Sequence, residues 1–189
     1  IAQGFRSLLP GPSRSVLFLA VTAEESGLIG SEFYAQHPLV PLEKTAAVIN
    51  IDALNPLGRA KDIEVIGFGA SALEDLLAKA AKAQGRTLTP DRRSEAGYFY
   101  RSDHFNFAKV GVPALYVKSG TDLRGQPAGT GLARYDEYYA INYHKPSDDA
   151  EKVDHDGMHA VAWAVSDLLI QLQLAERAVV GTLSLGQAI

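Results

Sequence analysis

Two adjacent glutamates, Glu24 and Glu25, close the apolar run Ser15 to Thr22 (Ser-Val-Leu-Phe-Leu-Ala-Val-Thr). A third carboxylate, Asp52, closes a second such run that starts at Lys44, and an imidazole, His144, stands in Tyr143-His144-Lys145-Pro146-Ser147-Asp148. Carboxylate oxygen and imidazole nitrogen are the donors of a catalytic zinc site, whose open position holds water. Metal binding lowers the pKa of that water to about 7, and two neighbouring metals can together make the nucleophile and polarise a carbonyl. Adjacent carboxylates suit such chemistry: consecutive side chains of a non-helical backbone diverge, so one can ligate while its neighbour carries a proton. Cysteine is absent, which excludes thiolate ligands, disulfides and a cysteine nucleophile and leaves His, Asp and Glu to hold any metal.

The elements that must position these groups follow from the apolar pattern. Ser15 to Thr22 is continuously hydrophobic and too short for a membrane span, which predicts a strand buried on both faces of a parallel sheet. The carboxyl ends of strands form the ligand crevice of an open α/β sheet, so acids at strand ends fall where binding occurs. Leu28, Ile29, Phe33 and Tyr34 recur at helical spacing and predict a helix over 27–36, stopped by His37-Pro38. Lys44 to Asp52, Asp62 to Phe68 and Gly111 to Val117 read as further buried strands. Ser71-Ala72-Leu73-Glu74 has the capping-box pattern of a helix running to about Gln84, and Ser102 or Asp103 can cap a short helix. Lys118 to Asn142 has little periodicity and reads as a long loop. Asp154 to Arg177 reads as one long amphipathic helix, with Val161, Val165, Leu168 and Leu172 on its apolar face. The alternation of strands and helices predicts an α/β fold: three layers, a mainly parallel mixed sheet with helices on both faces.

Two weaker patterns carry no chemistry. Gly67-Phe68-Gly69-Ala70 lacks the third glycine of a dinucleotide loop, and His155 and His159, four apart, lack the acidic partner of a helical zinc pair. At 189 residues, 47% of them hydrophobic and 21% charged, the chain fits one soluble domain with one sizeable core. A net charge of -4 without a block of Lys or Arg argues against nucleic-acid and anionic-lipid partners. No apolar stretch is long enough to span a bilayer. The first residues, with Ile1, Phe5, Leu8 and Leu9 at helical spacing and no Met, read as a helix already under way, as in a fragment of something longer.

Four ordered motifs carry a family resemblance: Ala-Glu-Glu-Ser-Gly-Leu-Ile-Gly-Ser from Ala23, Asn-Ile-Asp from Asn50, Arg-Ser-Asp-His from Arg101 and Tyr-His-Lys-Pro-Ser-Asp from Tyr143. With the interval from Glu25 to Asp52, they resemble the cocatalytic di-zinc aminopeptidases of the bacterial leucyl aminopeptidase type. That clan also holds glutamate carboxypeptidases and glutaminyl cyclases. The resemblance runs from about Arg14 to Leu174. It implies two zinc ions, with Glu25 and His144 ligating one and Asp52 the other, and Glu24 as general base and then acid. It further implies that the Tyr143 hydroxyl steadies the tetrahedral oxyanion, and that Arg101 and Asp103 line the substrate pocket. Peptide substrates and a secreted or periplasmic location are implied as well.

One departure is large. The family's His-x-Asp motif and bridging Asp lie upstream of the Glu-Glu pair, whereas no His, Asp or Glu precedes Glu24 here. Three of the family's five ligands are therefore present, too few for a stable catalytic site. The expectation is a single domain over 1–189, the C-terminal portion of a peptidase catalytic domain with its first strands missing. By itself it would be inactive and bind zinc weakly or not at all, while its parent would be an exopeptidase. An open sheet edge would favour a homodimer. The alternatives are another activity of the clan, such as carboxypeptidase or glutaminyl cyclase, or a non-catalytic binding module that kept the fold.

Overall fold

The computed structural model describes residues 2–7, 14–52, 57–152, 154, 165 and 178–184. Its strands are β1 (Val16–Val21), β2 (Thr45–Ile51), β3 (Asp62–Ile66), β4 (Thr87–Pro90), β5 (Ala114–Ser119) and β6 (Ala178–Ser184). They form one sheet in the order β1-β6-β2-β5-β3-β4. Neighbours run parallel except β3 and β5, which are antiparallel, with Glu64 opposite Lys118 and Ile66 opposite Tyr116. The carboxyl ends of β1, β2 and β5 thus share one rim.

Strand alternation sorts the core into two layers. From β2, Ala47, Ile49 and Ile51 face one side, where they join Ile63, Val65, Leu115 and Val117 of the neighbouring strands. Over them lie Leu73, Leu77 and Ala81 of α3 (Leu73–Ala83), Phe5 of α1 (Ala2–Arg6), and Val165. Val48 faces the other side, where it meets Tyr34 of α2 (Ile29–Gln36), Phe107 of α4 (His104–Lys109), and Val112. Helices therefore cover both faces, as the strand and helix alternation predicts.

Glu74 closes the start of α3 by accepting from the backbone N–H groups of Gly69 (2.8 Å) and Ser71 (3.3 Å), while the Ser71 hydroxyl accepts from Leu73 N–H (3.2 Å). The Gly67-Phe68-Gly69 turn exists for packing. A Cβ on Gly67, at φ +75°, would sit 2.2 Å from the ring of Phe99, a contact only glycine permits.

Two expectations need correction, the burial of β1 and the loop over Lys118 to Asn142, and two further features go beyond the sequence reading. β1 is not buried on both faces: Leu17 and Leu19 join the α2–α4 layer, but Phe18 is 38% exposed, because β1 is the outermost strand of the described sheet. On α2, Tyr34 is buried, whereas Ile29 and Phe33 point outward, the latter stacking on His37 at 4.7 Å. The stretch Lys118 to Asn142 is not a long loop, since it contains α5 (Thr130–Ile141). This helix buries Gly131 and otherwise carries tyrosines rather than an apolar stripe, which is why periodicity misses it. β4 was not foreseen either; it is short and ends in Pro90, tolerated because β4 is an edge strand. The long helix expected over 154–177 lies outside the described residues except for Asp154 and Val165, and Val165 is helical and buried.

Candidate functional site

β1 delivers its two glutamates on a turn rather than directly into a helix. Gly27 N–H and Leu28 N–H both donate to the Glu24 carbonyl (3.1 and 2.9 Å), and Gly30 N–H donates to that of Thr22 (3.0 Å). Ala23 (φ +58°) and Leu28 (φ +62°) adopt the left-handed region that costs an L-residue energy. A buried side chain holds the turn in place: Asn106 of α4 donates to the Leu28 carbonyl (3.0 Å) and is paired with the Ser31 hydroxyl (2.8 Å). The Glu24-Glu25 geometry is therefore fastened from the layer beneath.

Asp52, one residue past β2, is oriented by a relay. Asn50 Nδ2 donates to Ser102 Oγ (2.7 Å), Ser102 Oγ donates to Asp52 Oδ2 (2.9 Å), and the Tyr116 hydroxyl donates to the same oxygen (3.3 Å). Ser102 thus serves Asp52 and makes no helix-capping bond. The Asp103 side chain does not cap α4 either.

His144 arrives on an aromatic stack. Tyr135 and Tyr139 of α5 stack at 4.4 Å, Tyr139 on Tyr143 at 4.1 Å, and Tyr143 on His144 at 3.9 Å. The Tyr138 hydroxyl donates to Asp148 (2.7 Å) and secures the turn after the helix. His144, at φ +58°, places Nε2 2.7 Å from Glu25 Oε1, with both side chains about half exposed. Burial, followed by the charges of Tyr139, Asp52 and Glu25, holds the Tyr143 hydroxyl well above the ordinary tyrosine pKa, so it stays a proton donor.

These groups line one open cavity of about 390 Å³. Glu24, Glu25, Asp52, Arg101, Tyr143 and His144 all border it, from segments scattered over the chain. Asp103 does not: it is fully buried beneath the wall, and its charge acts on Glu24 from below. Partial burial, then Asp52, Glu25 and Asp103, push the Glu24 carboxyl up to about 7, while Arg101 opposes them. His104 is fully buried too, between the rings of Phe99 and Tyr116 (4.9 Å each), with neither ring nitrogen hydrogen-bonded among the described residues. His155 and His159 lie outside the described residues.

Tyr116, Ser102 and Lys118 also serve this site and were not read from the sequence as functional. One signal was available: Tyr116 and Lys118 alternate with the core residues Leu115 and Val117, and a lysine inside a buried strand needs a reason.

The donors fit zinc in kind and only partly in number. Glu25 and His144 converge on one point, and Asp52 faces the same cavity with an oriented carboxylate. Among the described residues, no group of three or more His, Cys, Asp or Glu side chains is close enough to hold one ion. A structural or catalytic zinc needs three or four protein donors, so the set is incomplete within these residues.

Comparison with known proteins bears on the family and the fold. The family model described as Peptidase family M28 matches residues 1–169. A probable lipoprotein aminopeptidase, LpqL of Mycobacterium tuberculosis, is 26% identical over 178 residues, covering 82% of this chain and 34% of that protein. Among solved structures, the aminopeptidase from Aneurinibacillus sp. strain AM-1 superposes with a TM-score of 0.52 at 23% identity, over 80% of this chain and 32% of its own. The zinc aminopeptidase BSAP from Bacillus subtilis gives 0.54 at 21% identity, over 80% and 34%. The chain spans about a third of the length of these relatives.

Proposed function

Because the chain belongs to Peptidase family M28, we propose that it forms the carboxyl-terminal half of the active site of a zinc-dependent aminopeptidase, with Glu24 as the proton carrier. The observation that carries this reading is the convergence of Glu24, Glu25, Asp52 and His144 on one cavity, with His144 Nε2 2.7 Å from Glu25 Oε1. When bound, zinc would supply an activated water and a Lewis acid for the peptide carbonyl. Glu25 and His144 would hold one ion, and Asp52, oriented by Ser102 and Tyr116, the other. Glu24 is the acid left without a ligand role. It borders the cavity beside them, where it can accept a proton and return it to the leaving amine. The protonated Tyr143 hydroxyl supplies a donor for a developing oxyanion, and Arg101 a cation on the substrate wall.

The relatives named as aminopeptidases support the exopeptidase reading over other activities of the clan. The lipoprotein relative supports a place in the cell envelope or outside the cell. No helix among the described residues is long and apolar enough to cross a membrane. The partners of this reading are peptide substrates, with a homodimer through the outer edge of β1 as its oligomeric form.

Two measurements test it. Calorimetric titration of this chain with zinc should show weak or no binding, because three donors are split between two ions; two tight sites would overturn the incomplete-ligand account. The whole protein, loaded with zinc, should hydrolyse leucyl-4-nitroanilide, and Glu24→Gln should lower kcat by roughly 10²- to 10⁴-fold with zinc binding retained. Hydrolysis that survives the substitution would remove Glu24 from its role.

A further inference from the structure

The cavity wall also carries cations, which are not metal donors. Besides the acids it is bordered by Arg101, Lys109 and Lys118. Lys118 is the unusual one. It lies on β5, a strand whose neighbouring residue Val117 is core, and it is only 7% exposed. Its ammonium sits 4.3 Å from the centroid of the Tyr98 ring and 5.4 Å from that of Tyr116. The guanidinium of Arg101 lies over the same Tyr98 ring at 5.9 Å.

A buried ammonium is costly unless paired, and here the charges of Asp52, Glu64 and Asp91 act on it without a direct ion pair among the described residues. Among the described residues, no carboxylate comes within 4.0 Å of the Lys118 ammonium, and it donates no hydrogen bond. Its cross-strand neighbour Glu64 is engaged elsewhere: it accepts from Arg92 N–H (2.7 Å) and pairs with the Arg92 guanidinium (3.3 Å). The aromatic rings offset part of the cost, and desolvation still pulls the lysine below its ordinary pKa. Such an ammonium, on the wall of an open cavity of about 390 Å³ that suits a short peptide, is arranged for an anion that arrives with the ligand.

Resting on the aminopeptidase reading, we propose that Lys118, assisted by Arg101, binds a carboxylate of the substrate, so that the preferred substrates are short peptides bearing a negative charge. That carboxylate has two possible sources, the C-terminus of a dipeptide or an acidic side chain. Both present the same planar anion to Lys118.

The test compares kcat/KM of the zinc-loaded whole protein for Ala-Ala, for Ala-Ala amide and for Ala-Asp amide. If the C-terminus is the source, Ala-Ala exceeds both amides by roughly tenfold or more, the value of a charge-assisted hydrogen bond; if the side chain is, Ala-Asp amide exceeds Ala-Ala amide by a similar factor. Lys118→Met should collapse the ratio of charged to neutral substrate toward one, whereas a merely structural lysine would lower both rates together and keep the ratio. Lys118→Arg should keep the preference, and the exposed Arg101→Gln should halve it or more, which covers the case in which Lys118→Met does not fold. Equal rates on all three substrates, or an unchanged ratio in the variants, overturns the proposal and leaves the aminopeptidase reading intact. If no substrate is hydrolysed, that reading fails by itself. Calorimetric binding of Ala-Ala and Ala-Ala amide to wild type and Lys118→Met then decides the anion site: preference for the free acid that Lys118→Met abolishes upholds it, and equal binding rejects it.

Discussion

Single residues here are set by what surrounds them more than by their type. His104 follows Asp103 in one of the family motifs but is not among its ligands, and it is sealed between Phe99 and Tyr116 with neither nitrogen bonded among the described residues. Burial pushes its pKa from 6.5 down to about 4, so the folded protein holds it neutral. Between those two values the unfolded chain binds a proton that the folded chain refuses. Stability contributed by this residue is therefore complete above pH 6.5, falls as the pH drops toward 4, and levels off below. Two and a half units correspond to a loss on the order of 3 kcal/mol. Replacement by Phe, in a pocket already built of aromatic rings, should flatten the dependence of denaturant stability on pH between 6.5 and 4. An unchanged slope would mean that other groups dominate acid unfolding. The four chemistry-bearing residues were legible because each ends an apolar run or stands beside an aromatic in a polar segment. Ser102 and Tyr116 were not, since their bonds to Asp52 join positions 50 and 64 residues apart, and no local pattern records such a meeting.

Elements, rather than residues, bring the glutamates to the rim. β1 and α2 meet so closely that a Cβ at Gly30 would lie 2.4 Å from the Thr22 carbonyl oxygen and 2.6 Å from its nitrogen. Neither atom can yield, because Gly30 N–H donates to that same carbonyl. Gly30→Ala should therefore force α2 away from the end of β1, at about 1–3 kcal/mol for such overpacking. A chain of this size should lose several degrees in its thermal midpoint, with chemical-shift changes centred on the Glu24-Glu25 turn. A midpoint within one degree of wild type would show that the turn relaxes freely. Strands β2 and β5 could be read from sequence because burial on both faces writes a nearly continuous apolar run, and β3 because Ile63, Val65 and Ile66 keep a β-branched pattern around Glu64. α5 could not: it earns its place by stacking Tyr135, Tyr139 and Tyr143 toward His144, and hydrophobic periodicity does not register an aromatic ladder half open to solvent. The edge strand β4 was missed because four residues ending in Pro90 display too short a pattern, whereas the strand β1 was legible in the apolar run Ser15 to Thr22.

At the scale of the whole molecule the sheet has an unexpected centre. β6 runs between β1 and β2, pairing Val16 with Val179 through Val21 with Ser184 on one side and Thr45 with Ala178 through Ile51 with Leu183 on the other. It falls beyond residue 169, where the family match ends, and yet it is the only strand that joins the carrier of Glu24 and Glu25 to the carrier of Asp52 among the described residues. The relative position of the two acid-bearing rims thus rests on the backbone bonds of seven residues. Ending the chain before Ala178 would leave β1 with no described strand partner and bare one side of β2, while β2, β5, β3 and β4 would keep their mutual pairing. Hydrogen exchange should then separate the two parts. Amides of 16–21 should lose most of their protection, those of 114–119 should keep theirs, and the unpaired edges should raise light scattering with concentration. Protection that stays uniform across both strands after truncation would show that α2 and its packing on α4, not β6, fix the glutamates in place.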